Sequence, residues 1–161
     1  MTAGEASRTA EHMALFRALE TARPAASRVF ADPFATLFLR PGFRLVVRLS
    51  RPPLLRALVP RILDRVVPGA RSSAVARTRL IDDLLLAALP ETDQIVILGA
   101  GYDCRAYRIP ALARRAVFEV DHPDTLARKR RRLAGTDVEH VRFVGTDFDR
   151  RSAADALATT D

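Results

Sequence analysis

The chain has 161 residues, and 48% of them are apolar, so it is long enough to bury the core of one domain and too apolar to be disordered. Its formal net charge of +7 comes largely from arginines spread along the chain, which argues against a dedicated nucleic-acid surface. The single cysteine excludes an internal disulfide, no cysteine–histidine cluster suggests a metal site, and we find neither a signal peptide nor an apolar run of membrane length, so we expect a soluble, cytoplasmic protein with no membrane partner.

Residues 1–71 are predicted to form helices separated by proline-containing connections. Apolar residues at helical spacing predict a helix over residues 9–22, and Asp32, which precedes a proline, favours a second helix start. Over residues 54–67 the apolar and arginine side chains fall on opposite faces, which predicts an amphipathic helix that Pro60 kinks or splits. We expect this helix to pack on its own domain; a membrane-surface helix or a substrate lid is the alternative.

Residues 72–161 have a different pattern, in which helices alternate with short apolar runs. Ser72 or Ser73 is a good N-cap for a helix that ends at Leu89. Three later runs are typical of buried parallel strands: QIVIL at 94–98, VFEVD at 117–121, and one within VRFVGTDF at 141–148. The helical segment HPDTLARKRRRL separates the last two. This alternation predicts an α/β fold with a parallel βαβαβ sheet and right-handed crossovers.

The segment between the last two strands contains a basic run, residues 129–132. Lys129 is the one lysine among the 26 basic residues of the chain; this preference for arginine is also what a GC-rich coding sequence would produce. We interpret the run as the solvated face of a crossover helix, with contact to nucleic acid as the alternative.

Candidate binding residues follow each predicted strand, at the sheet edge where open α/β folds bind ligands. Gly99 and Gly101 follow the first strand, and glycines allow a tight turn and a close approach of a ligand. Asp121 ends the second strand, where a carboxylate can accept hydrogen bonds from both ribose hydroxyls of an adenosine. Asp147 and Phe148 end the third, where they suit an adenine amino group and the face of its ring. Taken singly, each residue could instead serve a plain turn or a helix cap; together they favour an adenosine site.

The glycine loop is less suited to a dinucleotide than to S-adenosylmethionine. The dinucleotide fingerprint has a glycine or alanine where this chain has Cys104, and S-adenosylmethionine carries no pyrophosphate. Arg77 and Arg79 could bind the carboxylate of its methionine portion; an exposed helix face or an ion pair with Asp82 or Asp83 is the alternative. A nicotinamide-dependent dehydrogenase remains the competing enzyme class.

The motifs ARTRLIDDLLLAAL, QIVILGAGYDCRAYRI, VFEVDHPDTLARKRRRL and VRFVGTDF resemble the leucine carboxyl methyltransferase family. The similarity is greatest to its bacterial branch of S-adenosyl-L-methionine-dependent O-methyltransferases, and it covers residues from about 9 to 150. The resemblance implies a Rossmann-like class I methyltransferase fold, with a helical cap region over residues 1–71 and the N-terminal half of the cofactor-binding domain over residues 72–161.

The resemblance also implies roles for individual residues. Arg77 is expected to bind the methionine carboxylate, Gly99 and Gly101 to line the cofactor loop, Asp121 to hold the ribose, and Asp147 with Phe148 to contact the adenine. The cofactor is expected to be S-adenosyl-L-methionine, with no metal, and the reaction to be O-methyl transfer to a carboxyl or hydroxyl group of a small-molecule or carboxyl-bearing acceptor. No residue of the chain is predicted to be catalytic.

The family sheet has seven strands, whereas three are predicted here. We therefore expect a sheet truncated after its third strand, with an unpaired edge on that last strand. An inactive fragment, or a basic binding fragment without enzymatic activity, is the alternative to an active enzyme.

Overall fold

The computed structural model describes residues 3–159, and from Arg8 onward it also describes side-chain burial. The chain divides into two compact units. One is formed by residues 11–87, and the other by the chain on either side of that segment. The boundary predicted from the sequence lies earlier, between residues 71 and 72. The division into a cap region and a cofactor-binding domain stays a prediction.

The unit formed by residues 11–87 is helical. Its α-helices are α1 (Ala3–Thr21, shared with the preceding segment), α2 (Pro41–Leu49), α3 (Pro53–Arg56), α4 (Leu58–Val66) and α5 (Ala70–Ala88). Leu15, Phe16 and Leu19 of α1 are buried, which confirms the predicted apolar face. Asp32 is also buried, and its Oδ1 accepts hydrogen bonds from the amides of Phe34 and Ala35. The helix start predicted there lies further along the chain, at the 3₁₀ turn Ala35–Phe38, whose N-cap residue is Phe34.

The predicted helix over residues 54–67 consists of two helices, α3 and α4, that meet at Ala57. Pro60 was expected to kink or split one helix, but it lies in the first turn of α4, where the missing N–H has no helical acceptor to lose. The break therefore precedes the proline by about one turn. Asp64 of α4 and Arg71 of α5 join these neighbouring helices by two hydrogen bonds, of 3.0 and 2.7 Å.

The other unit contains a parallel sheet of three strands, which confirms the predicted α/β class. The strands are β1 (Gln94–Leu98), β2 (Ala116–Asp121) and β3 (Val141–Gly145), in the order β1-β2-β3. In this register Leu98 pairs with Val120, and Asp121 with Gly145, so the carboxyl ends of all three strands share one edge. Helices α6 (Arg105–Arg108), α7 (Pro123–Arg132) and α8 (Ala153–Ala158) follow β1, β2 and β3 respectively.

The sheet is buried more completely at its centre than at its margins. Val117 and Val120 of the central strand are inaccessible, and Val144 packs with Val120 and Ala156. Strand β1 was expected to be buried, but Val96 and Leu98 are 43% and 60% exposed. Both residues lie on one face of β1, since they alternate with the buried Ile95 and the half-buried Ile97. Within residues 3–159, β1 and β3 are the outer strands of the sheet, so the unpaired edge expected at the last strand is present at both.

Across residues 3–159, helices of membrane-spanning length and hydropathy are absent.

Candidate cofactor site

The glycine loop begins where β1 ends. Gly99 and Gly101 have φ angles of +61° and +46°, in the left-handed region that favours glycine. Between them, the amide of Ala100 donates to the carbonyl oxygen of Val120 at 3.1 Å and so fixes the loop to the central strand. A Cβ atom built on Gly99 would meet nothing within 4 Å, whereas one on Gly101 would lie 3.4 Å from the Cβ of Ala10. The loop therefore has open space beside Gly99.

Asp121 joins the ends of β1 and β2. Its Oδ2 accepts a hydrogen bond from the amide of Gly101, and its Oδ1 accepts one from the amide of His122; both bonds are 2.6 Å long. A helix cap was the alternative role for Asp121, but α7 is capped by His122, whose Nδ1 accepts from the amide of Asp124 at 3.3 Å. The carboxylate is half-buried beside the glycine loop, with acceptor capacity left on both oxygens.

Asp147 and Phe148 lie in the turn that follows β3. The amide of Thr146 donates to the carbonyl oxygen of Asp121 at 3.0 Å, which brings this turn to the end of β2. Asp147 also makes the turn contact expected if it is only a turn residue, because its Oδ1 accepts from the amide of Asp149 at 3.1 Å. The Phe148 side chain is 49% exposed. The residues predicted at the ends of the three strands are thus brought together at one edge.

Arg77 lies on α5, in the unit formed by residues 11–87, and its side chain is exposed. Its assignment to the methionine carboxylate stays a prediction. Arg79 forms the ion pair that was its alternative, since its Nε lies 2.8 Å from both carboxylate oxygens of Asp83.

The helix after the glycine loop is short. Helix α6 has four residues, and Cys104 directly before it is buried, with its thiol donating to the carbonyl oxygen of Tyr102 at 3.3 Å. Asp103 accepts from the amide of Arg105 at 2.8 Å and also forms an ion pair with its guanidinium. A pyrophosphate is held by the amides and dipole of a long helix, and four residues supply little of either.

A buried pair of charged residues, Lys129 and Glu119, was not predicted from the sequence. Lys129 of α7 and Glu119 of β2 are both fully buried, with Nζ and Oε2 2.6 Å apart. The expectation that residues 129–132 form a solvated face is therefore wrong for Lys129 and correct for the three arginines that follow it. The reason is helical spacing, since Lys129 shares the buried face of Thr125 and Leu126. A glutamate inside an apolar strand and a single lysine were the available signals.

Comparison with known proteins agrees with this fold. The family model described as leucine carboxyl methyltransferase matches residues 10–161. A protein of Mycolicibacterium smegmatis is 40% identical over 129 residues, covering 78% of this chain and 41% of the relative. One of Streptomyces coelicolor is 33% identical over 168 residues, covering 94% of this chain and 50% of the relative.

Both relatives, and a protein of Parafrankia that is 38% identical over 128 residues, are named as candidate S-adenosyl-L-methionine-dependent methyltransferases. The Parafrankia match covers 79% of this chain and 39% of the relative, so the chain spans between about two fifths and half of the length of these relatives. From the family match over nearly its whole length, the chain belongs to the leucine carboxyl methyltransferase family.

Proposed function

We propose that this edge of the sheet binds S-adenosyl-L-methionine and serves O-methyl transfer to a carboxyl or hydroxyl group. The observation that carries the proposal is the position of Asp121, whose carboxylate joins the glycine loop to the end of the central strand through two hydrogen bonds of 2.6 Å. A carboxylate at this point of an α/β sheet is suited to the two hydroxyls of a ribose.

The residues present fit an adenosine-bearing cofactor. Asp121 retains acceptor capacity after its two backbone contacts, and the space beside Gly99 is open to an approaching ligand. The half-exposed ring of Phe148 offers an apolar face for a purine, and Asp147 an acceptor for its amino group.

Each residue has one task in the proposed site. Gly99 and Gly101 let the backbone approach the cofactor, Asp121 holds the ribose, and Asp147 with Phe148 holds the adenine. Arg77 is proposed to bind the methionine carboxylate bidentately. The bound cofactor supplies an electrophilic methyl group on its sulfonium; the protein's task is to hold the acceptor oxygen in line with it.

The acceptor group decides what else is needed. A carboxylate oxygen is already a nucleophile, whereas a hydroxyl requires a general base to take its proton. None of the candidate site residues described above is assigned that role. The acceptor is proposed to be a small molecule or to bear a carboxyl group, and the cytoplasmic location stays a prediction.

Binding of NAD is the less favoured alternative, since α6 has four residues and Cys104 replaces the third glycine. A nucleic-acid surface at residues 129–132 is also disfavoured, because Lys129 is buried against Glu119.

Calorimetric titration of the chain with S-adenosylmethionine and with NAD tests the proposal. We expect the first to bind and the second not to. Asp121→Asn should weaken binding about tenfold or more, because one carbonyl oxygen cannot serve the backbone amides and the ribose together. The matched control is Asp93→Asn, which removes a fully exposed carboxylate from the turn before β1 and should leave the affinity unchanged. Binding of NAD alone, or equal affinities of the Asp121 variant and the unaltered chain, would contradict the proposal.

A further inference from the structure

Glu119 and Lys129 form an ion pair inside the protein. Both side chains are fully buried, and Nζ lies 2.6 Å from Oε2. Burial raises the pKa of the Glu119 carboxyl, and the ammonium of Lys129 opposes that rise. Removing two charges from water is costly, and apolar side chains of similar size often give equal or greater stability. Stability alone therefore gives little reason for this pair.

Tyr107 completes the cluster from a third element. It lies on α6, after the glycine loop, and burial together with the neighbouring Glu119 carboxylate raises the pKa of its hydroxyl. The Nζ of Lys129 also lies 5.4 Å from the centre of the Tyr107 ring, within the range of a cation–π contact. The cluster thus connects α6, β2 and α7.

The choice of lysine indicates a specific requirement at this position. Every other cationic side chain except the histidines is arginine, and the one lysine occupies the fully buried position. An ammonium is compact and directs its donors in three directions, whereas a guanidinium is a wide planar fork. Whatever compositional bias favours arginine in this chain, it does not extend to the contact with Glu119.

The three elements joined by the cluster adjoin the glycine loop and Asp121. Successive strand residues alternate between faces, so Glu119 and Asp121 project from the same face of β2. Helix α6 follows the glycine loop, and α7 begins two residues after Asp121. We propose that Glu119, Lys129 and Tyr107 form a positioning cluster that holds the glycine loop against Asp121 and thereby sets the affinity for an adenosine-bearing ligand at this edge. The identity of that ligand rests on the function proposed above.

The test combines the double variant Glu119→Gln/Lys129→Met with amide hydrogen exchange. The double change removes both charges and keeps similar volumes, so no unpaired charge is left buried. Its matched control is Arg131→Met, which removes an exposed cation from the same helix. The amide of Gly101 reports directly on the loop, because it donates to Asp121. S-adenosylmethionine affinity is measured in parallel by calorimetry.

In the double variant we expect the Gly101 amide to exchange about tenfold faster than in the unaltered chain, and the cofactor to bind about tenfold more weakly. Arg131→Met should change neither. Tyr107→Phe removes one hydroxyl and should change both quantities in the same direction but by less. If the double variant does not fold, the exchange rate of the Gly101 amide in Tyr107→Phe tests the positioning role.

Exchange of the Gly101 amide within twofold of the unaltered chain in a folded double variant would overturn the positioning role. An equally large change in the exchange rate of the Gly101 amide in Arg131→Met would overturn it as well. If the unaltered chain does not bind S-adenosylmethionine, the proposed function fails on its own, and the exchange rate of Gly101 still decides whether the cluster positions the loop.

Discussion

Asp121 is the side chain on which the local geometry of the sheet edge most depends. It accepts from the amides of Gly101 and His122, while its own carbonyl oxygen accepts from the amide of Thr146. The turns after β1, β2 and β3 therefore all meet at one residue. A ligand bound there would contact a preformed surface rather than one that must assemble.

The buried pair behind Asp121 leads to a prediction about pH. Burial raises the pKa of the Glu119 carboxyl, and in Lys129→Met this carboxyl loses the group that most strongly opposes that rise. A carboxyl whose pKa is higher in the folded than in the unfolded state contributes stability below its unfolded pKa and loses it as pH rises through the folded pKa. The unfolding free energy of the variant should therefore fall, relative to that of the unaltered chain, as pH rises above 4.5, the ordinary pKa of a glutamate, by at most about 1.4 kcal/mol per pH unit.

Urea denaturation at several pH values measures this difference. Glu119→Gln/Lys129→Met is the control, because without the carboxyl the extra pH dependence should disappear. A pH-independent difference between Lys129→Met and the unaltered chain would contradict the assignment of the effect to Glu119.

For single residues, the sequence predicts which positions need a glycine backbone better than it predicts which charged side chains are buried. The predicted turn at Gly99 and Gly101 is confirmed by positive φ angles, since few other residues adopt that conformation readily. Lys129 was misassigned because a run of four cations favours a solvated surface on average, while its burial depends on which side of α7 faces β2. The local pattern does not decide the role of Arg77, because an arginine at this helical position suits an exposed face as well as contact with a carboxylate, so its role stays a prediction.

Whether a segment is a helix or a strand was predicted more accurately than the residues at which it begins and ends. The three strands were identified from apolar runs, but β3 ends at Gly145, before the candidate residues Asp147 and Phe148. The amphipathic pattern over residues 54–67 correctly indicated helix, but it could not show that the chain breaks at Ala57. Apolar periodicity reports which side of a segment is buried, whereas a break depends on tertiary packing.

The contact between α4 and α5 gives a prediction at the element scale. Arg71 binds both carboxylate oxygens of Asp64, and these hydrogen bonds lower the pKa of that carboxyl. Asp64→Asn should reduce the unfolding free energy at pH 7 by less than about 1 kcal/mol, because the pair is partly exposed. A lowered pKa gives stability above the unfolded pKa of the carboxyl and loses it as pH falls, so the difference should vanish near pH 2.

Denaturant unfolding at the two pH values tests this, with Asp83→Asn as the comparison. Asp83 pairs with Arg79 within the single helix α5, and both side chains are about half exposed. We expect the loss at Asp64 to equal or exceed that at Asp83, since it joins two helices; a larger loss at Asp83 would contradict this ranking.

For the whole molecule, the family could be recognised from the sequence, but the exposure of the sheet margins could not. The apolar run of β1 is typical of a strand buried on both faces, yet Val96 and Leu98 leave one face of this outer strand exposed. Periodicity alone does not state which strand is central. The chain spans about half or less of the length of the relatives compared above, so the activity of the whole protein stays a proposal.

The central claim is that the carboxyl edge of the sheet binds S-adenosylmethionine. The most direct measurement is a titration of the isotope-labelled chain with this cofactor, followed through its backbone amide resonances. We predict saturable shifts of the amides of Gly99, Gly101 and His122, and in Asp121→Asn a titration that needs about tenfold more cofactor or more to reach the same saturation. Saturation without any shift at these amides, or shifts confined to residues 11–87, would contradict the account.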